Sequence, residues 1–368
     1  MVEAKNEAKS KQRAIDHFYE FQAFRANSGR LAIFTAIRRA SSFVSIFAAD
    51  SPASLLASRI YRYYRAWERG GRAFIRRDDQ MLKQRSIHYL RKVGLLGAAD
   101  RIRFQIAKRR EKHNNMEFCR RNPDFIRPPL ELIYDAHGSV SYESFCHRGV
   151  ATSRWLSDLI REHCSAPTRI LEWGCGPARL LRHIVNFFPE AAIYGADYND
   201  QSISWCRSVF KDIRFVKNEL APPLPFSDRF FDVVYAVSVL THLSSEQQQA
   251  WMTELQRVLS FDGCMVITTQ GRRSSRLLLP KELKQFQESG MVVRDRVQEG
   301  KRSFVTYHNP AYVRDRLFAG MEVVKHIAGE DSNNGTNEQD VWILVQPRRA
   351  SSLQSNLAAD RRPGSSSK

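Results

Sequence analysis

The feature that most constrains the fold is an alternation of short apolar runs and helical patterns between residues 169 and 346. The runs are rich in β-branched and aromatic residues, which favours strands. There are seven: 169–173, 191–197, 213–218, 231–240, 264–270, 321–327 and 341–346. Helical patterns fall between most of them, at 177–187, 199–210, 245–259 and 309–318. Because each crossover helix returns the chain to the same end of the sheet, this order predicts a doubly wound, mostly parallel α/β fold.

The connection between the last two runs differs from the others. It reads GEDSNNGTNEQD (329–340), which is rich in turn residues and has no helical pattern. Two strands joined by a turn pair antiparallel. The sequence therefore predicts an antiparallel last strand at the edge of the sheet.

The N-terminal third has a different composition and carries almost all of the net charge. The 368-residue chain has a formal charge of +18, yet residues 1–130 contain 28 Lys and Arg against 12 Asp and Glu, and the rest contains 29 against 27. We predict a basic, mostly helical extension at 1–127, an α/β domain at 128–347 and a disordered tail at 348–368. The charge asymmetry suggests an anionic partner for the extension, either a membrane surface or RNA. The alternative is a helical cap with solvated arginines.

Other sequence signals concern location and metals. No run approaches the roughly 18 apolar residues that a membrane helix requires. The first fifteen residues are polar and charged, with no apolar core of a secretory signal. We therefore expect a cytoplasmic protein. The six cysteines are scattered without zinc spacing, so we expect reduced thiols and no metal site.

The segment ILEWGCGPARLL (170–181) follows the pattern of a strand that ends in a glycine turn. In a doubly wound sheet the ligand binds at the carboxyl ends of the strands, beside such a turn. A dinucleotide-binding turn has a third glycine where this chain has Arg179, and Glu172 would repel a pyrophosphate. The same carboxylate attracts a cation. S-adenosylmethionine, which carries an ammonium, a sulfonium and a ribose diol but no phosphate, fits this turn better than NAD.

The next two strands supply further candidate ligands. Asp197 ends the second strand, where a carboxylate accepts hydrogen bonds from both hydroxyls of a ribose. Asn218 ends the third strand and is expected to bond the adenine edge. Tyr198 is expected to stack on the adenine ring.

With these motifs in place, residues from about 130 to 347 resemble a class I S-adenosylmethionine-dependent methyltransferase of the broad bacterial type. The resemblance is carried by ILEWGCGPARLL, Asp197, PPLPFSDRFFDVVYAVSVLTHL (222–243) and ELQRVLSFDGCMVITTQG (254–271). It implies a seven-stranded sheet with an antiparallel last strand. It also implies that the Glu172–Gly176 turn, with Gly174, Cys175 and Gly176, holds the methionine end of the cofactor. Asp197 then binds the ribose and Asn218 the adenine.

The reaction and the acceptor are less constrained. Methyl transfer requires alignment of the nucleophile and, for a weakly acidic acceptor, a base. In this family the transferred methyl faces the segment after the fourth strand, here AVSVLTHL (236–243), which places Ser238 at the cofactor and makes His242 the candidate base. His308 and Arg148 are weaker candidates for the acceptor pocket and the cofactor carboxylate. The insertion 272–308, between the fifth and sixth predicted strands, is expected to shape the acceptor pocket.

Neither the Pro-Pro-aromatic signature of base-amino methyltransferases nor a catalytic Pro-Cys pair occurs in that segment. We therefore favour O-methylation of a small metabolite or a glycan precursor. The alternatives are an RNA methyltransferase that uses the basic extension and a non-catalytic, cofactor-binding adaptor at an anionic membrane surface. A nicotinamide-dependent oxidoreductase is disfavoured by Glu172 and Arg179.

Overall fold

The structure is a computed structural model that describes residues 83–330 and 338–347. All of the elements below belong to one compact unit that begins at Lys83. Residues 1–82 of the predicted basic extension, the predicted tail and most of the turn that joins the last two strands lie outside the described residues. The predicted domain boundaries therefore stay predictions.

Nine strands are present in the described residues, and seven of them form the central sheet. They are β1 (Arg169–Trp173), β2 (Ala192–Asp197), β3 (Ile213–Lys217), β4 (Phe231–Ala236), β5 (Leu259–Thr269), β6 (Met291–Arg294), β7 (Val305–His308), β8 (Glu322–Ile327) and β9 (Asp340–Val345). The central sheet has the order β3-β2-β1-β4-β5-β9-β8. Strands β1 to β5 pair in parallel, and β9 is antiparallel to both β5 and β8. The predicted fold class, with its antiparallel last strand, is confirmed.

The described residues also contain helices, and the core clusters show that some of them cover both faces of this sheet. The longer helices are α1 (Leu96–Arg121), α2 (Leu130–His137), α3 (Tyr142–His163), α4 (Leu181–Phe187), α5 (Asp200–Val209), α6 (Ser245–Val258) and α7 (Pro280–Glu288). Residues 83–92 are also helical, and single helical turns lie at Arg272–Leu277, Pro310–Tyr312 and Val313–Leu317. Three of the longer helices start at a polar cap whose side-chain oxygen accepts a hydrogen bond from a backbone N–H in the first turn: Ser141, Asn199 and Ser244.

The central strands are apolar on both faces because helices cover both faces. Ile170 and Leu171 of β1 are fully buried and belong to different core clusters. Ile170 packs with Leu156 of α3, and Leu171 packs in the cluster that contains Trp251 of α6. This rigid sheet fixes the positions of the loops at its carboxyl edge.

Two predicted boundaries at that edge were wrong by several residues. Helix α4 begins at Leu181 rather than 177, because Ala178 has a left-handed φ of +52° that a right-handed helix does not allow. Strand β4 ends at Ala236 rather than 240, because Ser238 has a φ of +66° and a 3-10 turn follows at Leu240–His242. Ser238 and the residue after Ala178, Arg179, both line the cavity described below.

The helix α1 packs against the α/β domain through a buried amide. Asn115 Nδ2 donates to the Val140 carbonyl at 2.7 Å, and Asn115 Oδ1 accepts from the Tyr142 N–H at 2.9 Å. No helix within the described residues is long and apolar enough to span a bilayer.

Candidate active site

A cavity of about 520 Å³ opens at the carboxyl ends of β1, β2 and β4. Helices α2 and α3 form one wall, and the insertion after β5 forms another. All nine residues predicted for the site line this cavity: Glu172, Gly174, Cys175, Gly176, Asp197, Tyr198, Asn218, Ser238 and His242. Its volume lies in the range of small-molecule and cofactor sites.

The glycine turn that follows β1 requires its first glycine. Gly174 has a φ of +75°, and its N–H donates to the Ala196 carbonyl at 2.7 Å. A Cβ at this position would lie 2.3 Å from Val239 Cγ2. Gly174 therefore brings the loops after β1 and β4 into contact, which forms the floor of the cavity.

A buried carboxylate and a buried guanidinium lie beside this turn. Burial raises the pKa of Glu172 to about 8, although Arg179 nearby and a 3.1 Å hydrogen bond from the Tyr235 hydroxyl both act to lower it. Burial lowers the pKa of Arg179 to about 10, and its Nε is buried with no hydrogen-bond partner among the described residues. A cationic group near Glu172 and an anionic group near Arg179 would therefore both be stabilised.

The carboxylate at the end of β2 is preorganised by backbone donors. Asp197 accepts from the Gly176 N–H at 2.7 Å and from the Asn199 N–H at 2.8 Å, one at each oxygen. Burial nevertheless raises its pKa. Each carboxylate oxygen keeps a further lone pair for a hydroxyl donor. The Asp197 side chain is thus both fixed in position and able to accept two more hydrogen bonds.

An unsatisfied amide lies at the end of β3. Asn218 is buried, and its Nδ2 donates to the Glu219 carbonyl at 2.6 Å. Its Oδ1 is buried without a partner among the described residues. Buried polar atoms are normally hydrogen-bonded, so an unsatisfied acceptor that lines a cavity suits a ligand with an N–H donor.

A loop of the insertion, residues 295–304, closes the side of the cavity near Tyr198. A Cβ at Gly300 would lie 3.1 Å from Tyr198 Cζ, so the phenol ring packs directly against this loop. Lys301 Nζ lies 3.0 Å from Asp135 Oδ2, and this aspartate also accepts from Asn199 Nδ2 at 3.3 Å. The loop therefore joins α2 to the end of β2 across the site.

The same loop orients His242. Its Nδ1 lies 2.7 Å from the Phe304 carbonyl oxygen, so Nδ1 carries the proton in the neutral ring and Nε2 is the basic nitrogen. Burial lowers the pKa of His242, partly offset by this hydrogen bond. The Gly300 N–H donates to the His242 carbonyl at 2.9 Å. His242 is thus a half-buried, neutral base on the cavity wall.

Two residues predicted to bind the cofactor have side chains that are hydrogen-bonded or buried within the protein. The Ser238 hydroxyl accepts from Gln339 Nε2 at 2.8 Å, and its N–H donates to Thr268 Oγ1. The Cys175 thiol is buried, and burial raises its pKa well above the usual value. We expect these residues to contribute shape and backbone groups to the cavity wall.

The two weaker candidates lie in different places, and the predicted pairing of Arg148 with the cofactor carboxylate stays a prediction. His308 is fully buried, its Nε2 lies 3.0 Å from Gln248 Oε1, and it is absent from the cavity lining, so its expected place beside the acceptor was wrong. Arg148 does line the cavity, from α3.

Two lining residues were missed as ligand candidates in the sequence. Arg179 follows Gly176 closely in the glycine turn, and a cation so near to Glu172 is a signal that could have been read from the sequence. Tyr307 of β7 also lines the cavity, but it lies far along the chain and no local pattern connects it to the turn.

Comparisons with known proteins agree with this arrangement. Residues 170–263 match a family model described as a methyltransferase domain. The chain is 33% identical over 109 residues to a malonyl-[acyl-carrier protein] O-methyltransferase of Legionella pneumophila, covering 29% of this chain and 37% of the relative. It is 28% identical over 116 residues to a trans-aconitate 2-methyltransferase of Methylobacterium nodulans, covering 31% and 43%. The chain thus spans less than half the length of these two relatives.

A solved structure with a similar fold is the 1,6-didemethyltoxoflavin-N1-methyltransferase of Burkholderia thailandensis, with bound 1,6-didemethyltoxoflavin and S-adenosylhomocysteine. It is 13% identical, has a TM-score of 0.40, and the match covers 56% of this chain and 86% of that one. The family match runs from β1 through the glycine turn to the first residues of β5, and the central sheet has the predicted seven strands with an antiparallel last strand. Residues 170–263 of the chain therefore match a methyltransferase domain.

Proposed function

We propose that the protein is an S-adenosylmethionine-dependent methyltransferase that methylates an oxygen of a small metabolite or a glycan precursor. The observation that carries this proposal is that one cavity is lined both by the carboxylate residues at the ends of β1 and β2 and by His242, whose basic nitrogen is Nε2. A ligand-binding adaptor needs the first feature but not the second. The name of the Legionella relative, an O-methyltransferase, supports an oxygen acceptor.

The residues present fit the cofactor. Glu172 suits its ammonium, Arg179 its carboxylate and Asp197 its ribose diol. The unsatisfied Asn218 Oδ1 suits the adenine amino group. When bound, S-adenosylmethionine supplies a methyl group that is activated by the sulfonium. The Tyr198 ring, next to Asp197 in the chain, packs against the loop 295–304 at the same cavity.

His242 supplies the proton chemistry for a hydroxyl acceptor. The Phe304 carbonyl holds the Nδ1 proton, which leaves Nε2 free to take a proton as the oxygen is methylated. Because burial lowers the pKa of His242, the ring is neutral at pH 7 and ready to act as a base. Arg302, which lines the same cavity, also lowers this pKa.

The test is methyl transfer from S-adenosylmethionine labelled in its methyl group to fractionated cell extract. We expect label in the small-molecule or glycan fraction, and a fall of about 10²-fold or more in rate for His242→Gln with unchanged cofactor affinity. The matched control is His308→Gln, which alters a buried histidine outside the cavity. Label only in the RNA fraction, or full activity of the His242 variant, would contradict the proposal.

A further inference from the structure

Residues 83–103, here called the elbow, contain an unusual concentration of exposed apolar side chains. Residues 83–92 are helical, a turn follows at 93–95, and α1 then begins. The exposed apolar side chains are Tyr89 (60%), Val93 (43%), Leu95 (40%) and Ile102 (41%). These are four of the nine large hydrophobic side chains that are exposed in residues 83–330 and 338–347. Exposed apolar residues are normally scattered singly, and four of them within residues 89–102 exceed that pattern.

The elbow is also strongly basic on its outside. Its exposed Lys and Arg side chains are Lys83, Arg85, Lys92, Arg101 and Arg103. The elbow has a single acidic residue, Asp100, which lies 2.7 Å from Arg302 Nη2 in the loop 295–304. The carboxylate therefore pairs with the domain, and the positive charge faces solvent.

Buried contacts fix the elbow to the catalytic domain. The guanidinium of Arg91 donates to the Ser303 carbonyl at 2.9 Å and to the carbonyls of Arg294 and Asp295. The Gln84 amide oxygen accepts from Arg294 Nη1 at 2.9 Å. The loop 295–304 that receives Arg91 also lines the cavity. Whatever the elbow binds is therefore held at a defined position relative to the active site.

We propose that the elbow docks the protein on an anionic lipid bilayer, with its apolar tip among the headgroups and its basic residues on the lipid phosphates. Aliphatic residues flanked by Lys and Arg are the pattern that binds such an interface. RNA would match the charge equally well, but it is recognised by stacking and by polar contacts, which leaves Val93, Leu95 and Ile102 without a role. This docking goes beyond the methyltransferase activity and does not depend on it.

The first test is vesicle flotation of the full chain. The vesicles are phosphatidylcholine alone or phosphatidylcholine with about one third phosphatidylglycerol. We expect binding to the anionic vesicles, and a fall in the partition coefficient of about 30-fold for Arg101→Gln/Arg103→Gln. The control, Lys211→Gln/Lys281→Gln, removes two exposed charges elsewhere and should bind like the wild type. Equal losses in both double variants would overturn the assignment to the elbow.

The second test reports insertion. Leu95→Trp places a fluorophore at the tip, and Leu283→Trp places one at an exposed position on α7. We expect brominated lipids to quench the added emission of the first variant only. If neither added tryptophan is quenched, the elbow does not insert into the bilayer and another partner replaces the membrane. If the protein binds poly(U) tightly but not vesicles, and Arg101→Gln/Arg103→Gln abolishes that binding, the partner is RNA. Far-UV circular dichroism and a cooperative thermal transition like that of the wild type confirm separately that each variant is folded.

Discussion

Glu172→Gln is the substitution that probes the proposed cofactor site most sharply. Burial raises the pKa of Glu172 to about 8, so at pH 7 roughly nine in ten of these carboxyl groups carry a proton. The ammonium of S-adenosylhomocysteine should displace that proton, because an adjacent cation favours the carboxylate. Binding then releases about 0.9 proton at pH 7, and since a proton is released, affinity should rise with pH, by about ninefold from pH 6 to pH 7.

Isothermal titration calorimetry in two buffers of different ionisation enthalpy measures the number of protons that are released when S-adenosylhomocysteine binds. Glu172→Gln keeps an acceptor for the Tyr235 hydroxyl but has no proton to lose. We expect it to lose the proton release, with an affinity deficit that widens between pH 6 and pH 8. The control is Glu219→Gln, an exposed carboxylate on the same cavity. If the wild type releases no proton at pH 7, or if Glu172→Gln keeps the pH dependence, the assignment of Glu172 to the ammonium is wrong.

Two further predictions concern stability. Gly174→Ala should lower the free energy of unfolding by about 1–2 kcal/mol because of the φ of +75°, and further because the new Cβ would lie 2.3 Å from Val239. Adding Val239→Ala should restore only the loss caused by that contact, as measured by urea unfolding. Burial lowers the pKa of His308 to about 3, from a value near 6.5 in the unfolded chain. Between pH 6.5 and pH 3 the unfolded chain therefore binds a proton that the folded protein does not. The free energy of unfolding should fall over this pH range by up to about 5 kcal/mol. A His308→Gln variant should show a flatter dependence of the unfolding free energy on pH, and equal slopes in the two proteins would rule out this source of acid lability.

The seven strands of the central sheet could be predicted because most of them are buried on both faces, which leaves a continuous apolar run, as in β1. Strands β6 and β7 of the insertion were not predicted. The element boundaries at the carboxyl edge of the sheet were predicted less well. Ala178 and Ser238 are ordinary residues in left-handed conformations, and nothing in their local sequence requires a positive φ. They end the elements early because the surrounding loops hold them there, which is a tertiary effect.

The residues of the candidate site also differ in how well the sequence predicts them. Residues next to the strand ends, such as Glu172 and Asp197, could be found because the topology of a doubly wound sheet brings them together. Asp135 and Lys301 are joined across the cavity although they are far apart in the chain, and no local pattern shows that pairing. His308 was misplaced because β7 is not among the seven predicted strands, so nothing in the sequence indicated which of its side chains are buried.

The central claim is that the cavity holds S-adenosylmethionine, and thermal stabilisation by its product tests this most directly. S-adenosylhomocysteine at 100 times its dissociation constant should stabilise the wild type by about 2.7 kcal/mol, and NAD at the same concentration should not. Asp197→Ala should lose most of this stabilisation. Stabilisation by NAD instead, or an undiminished response of the Asp197 variant, would contradict the account.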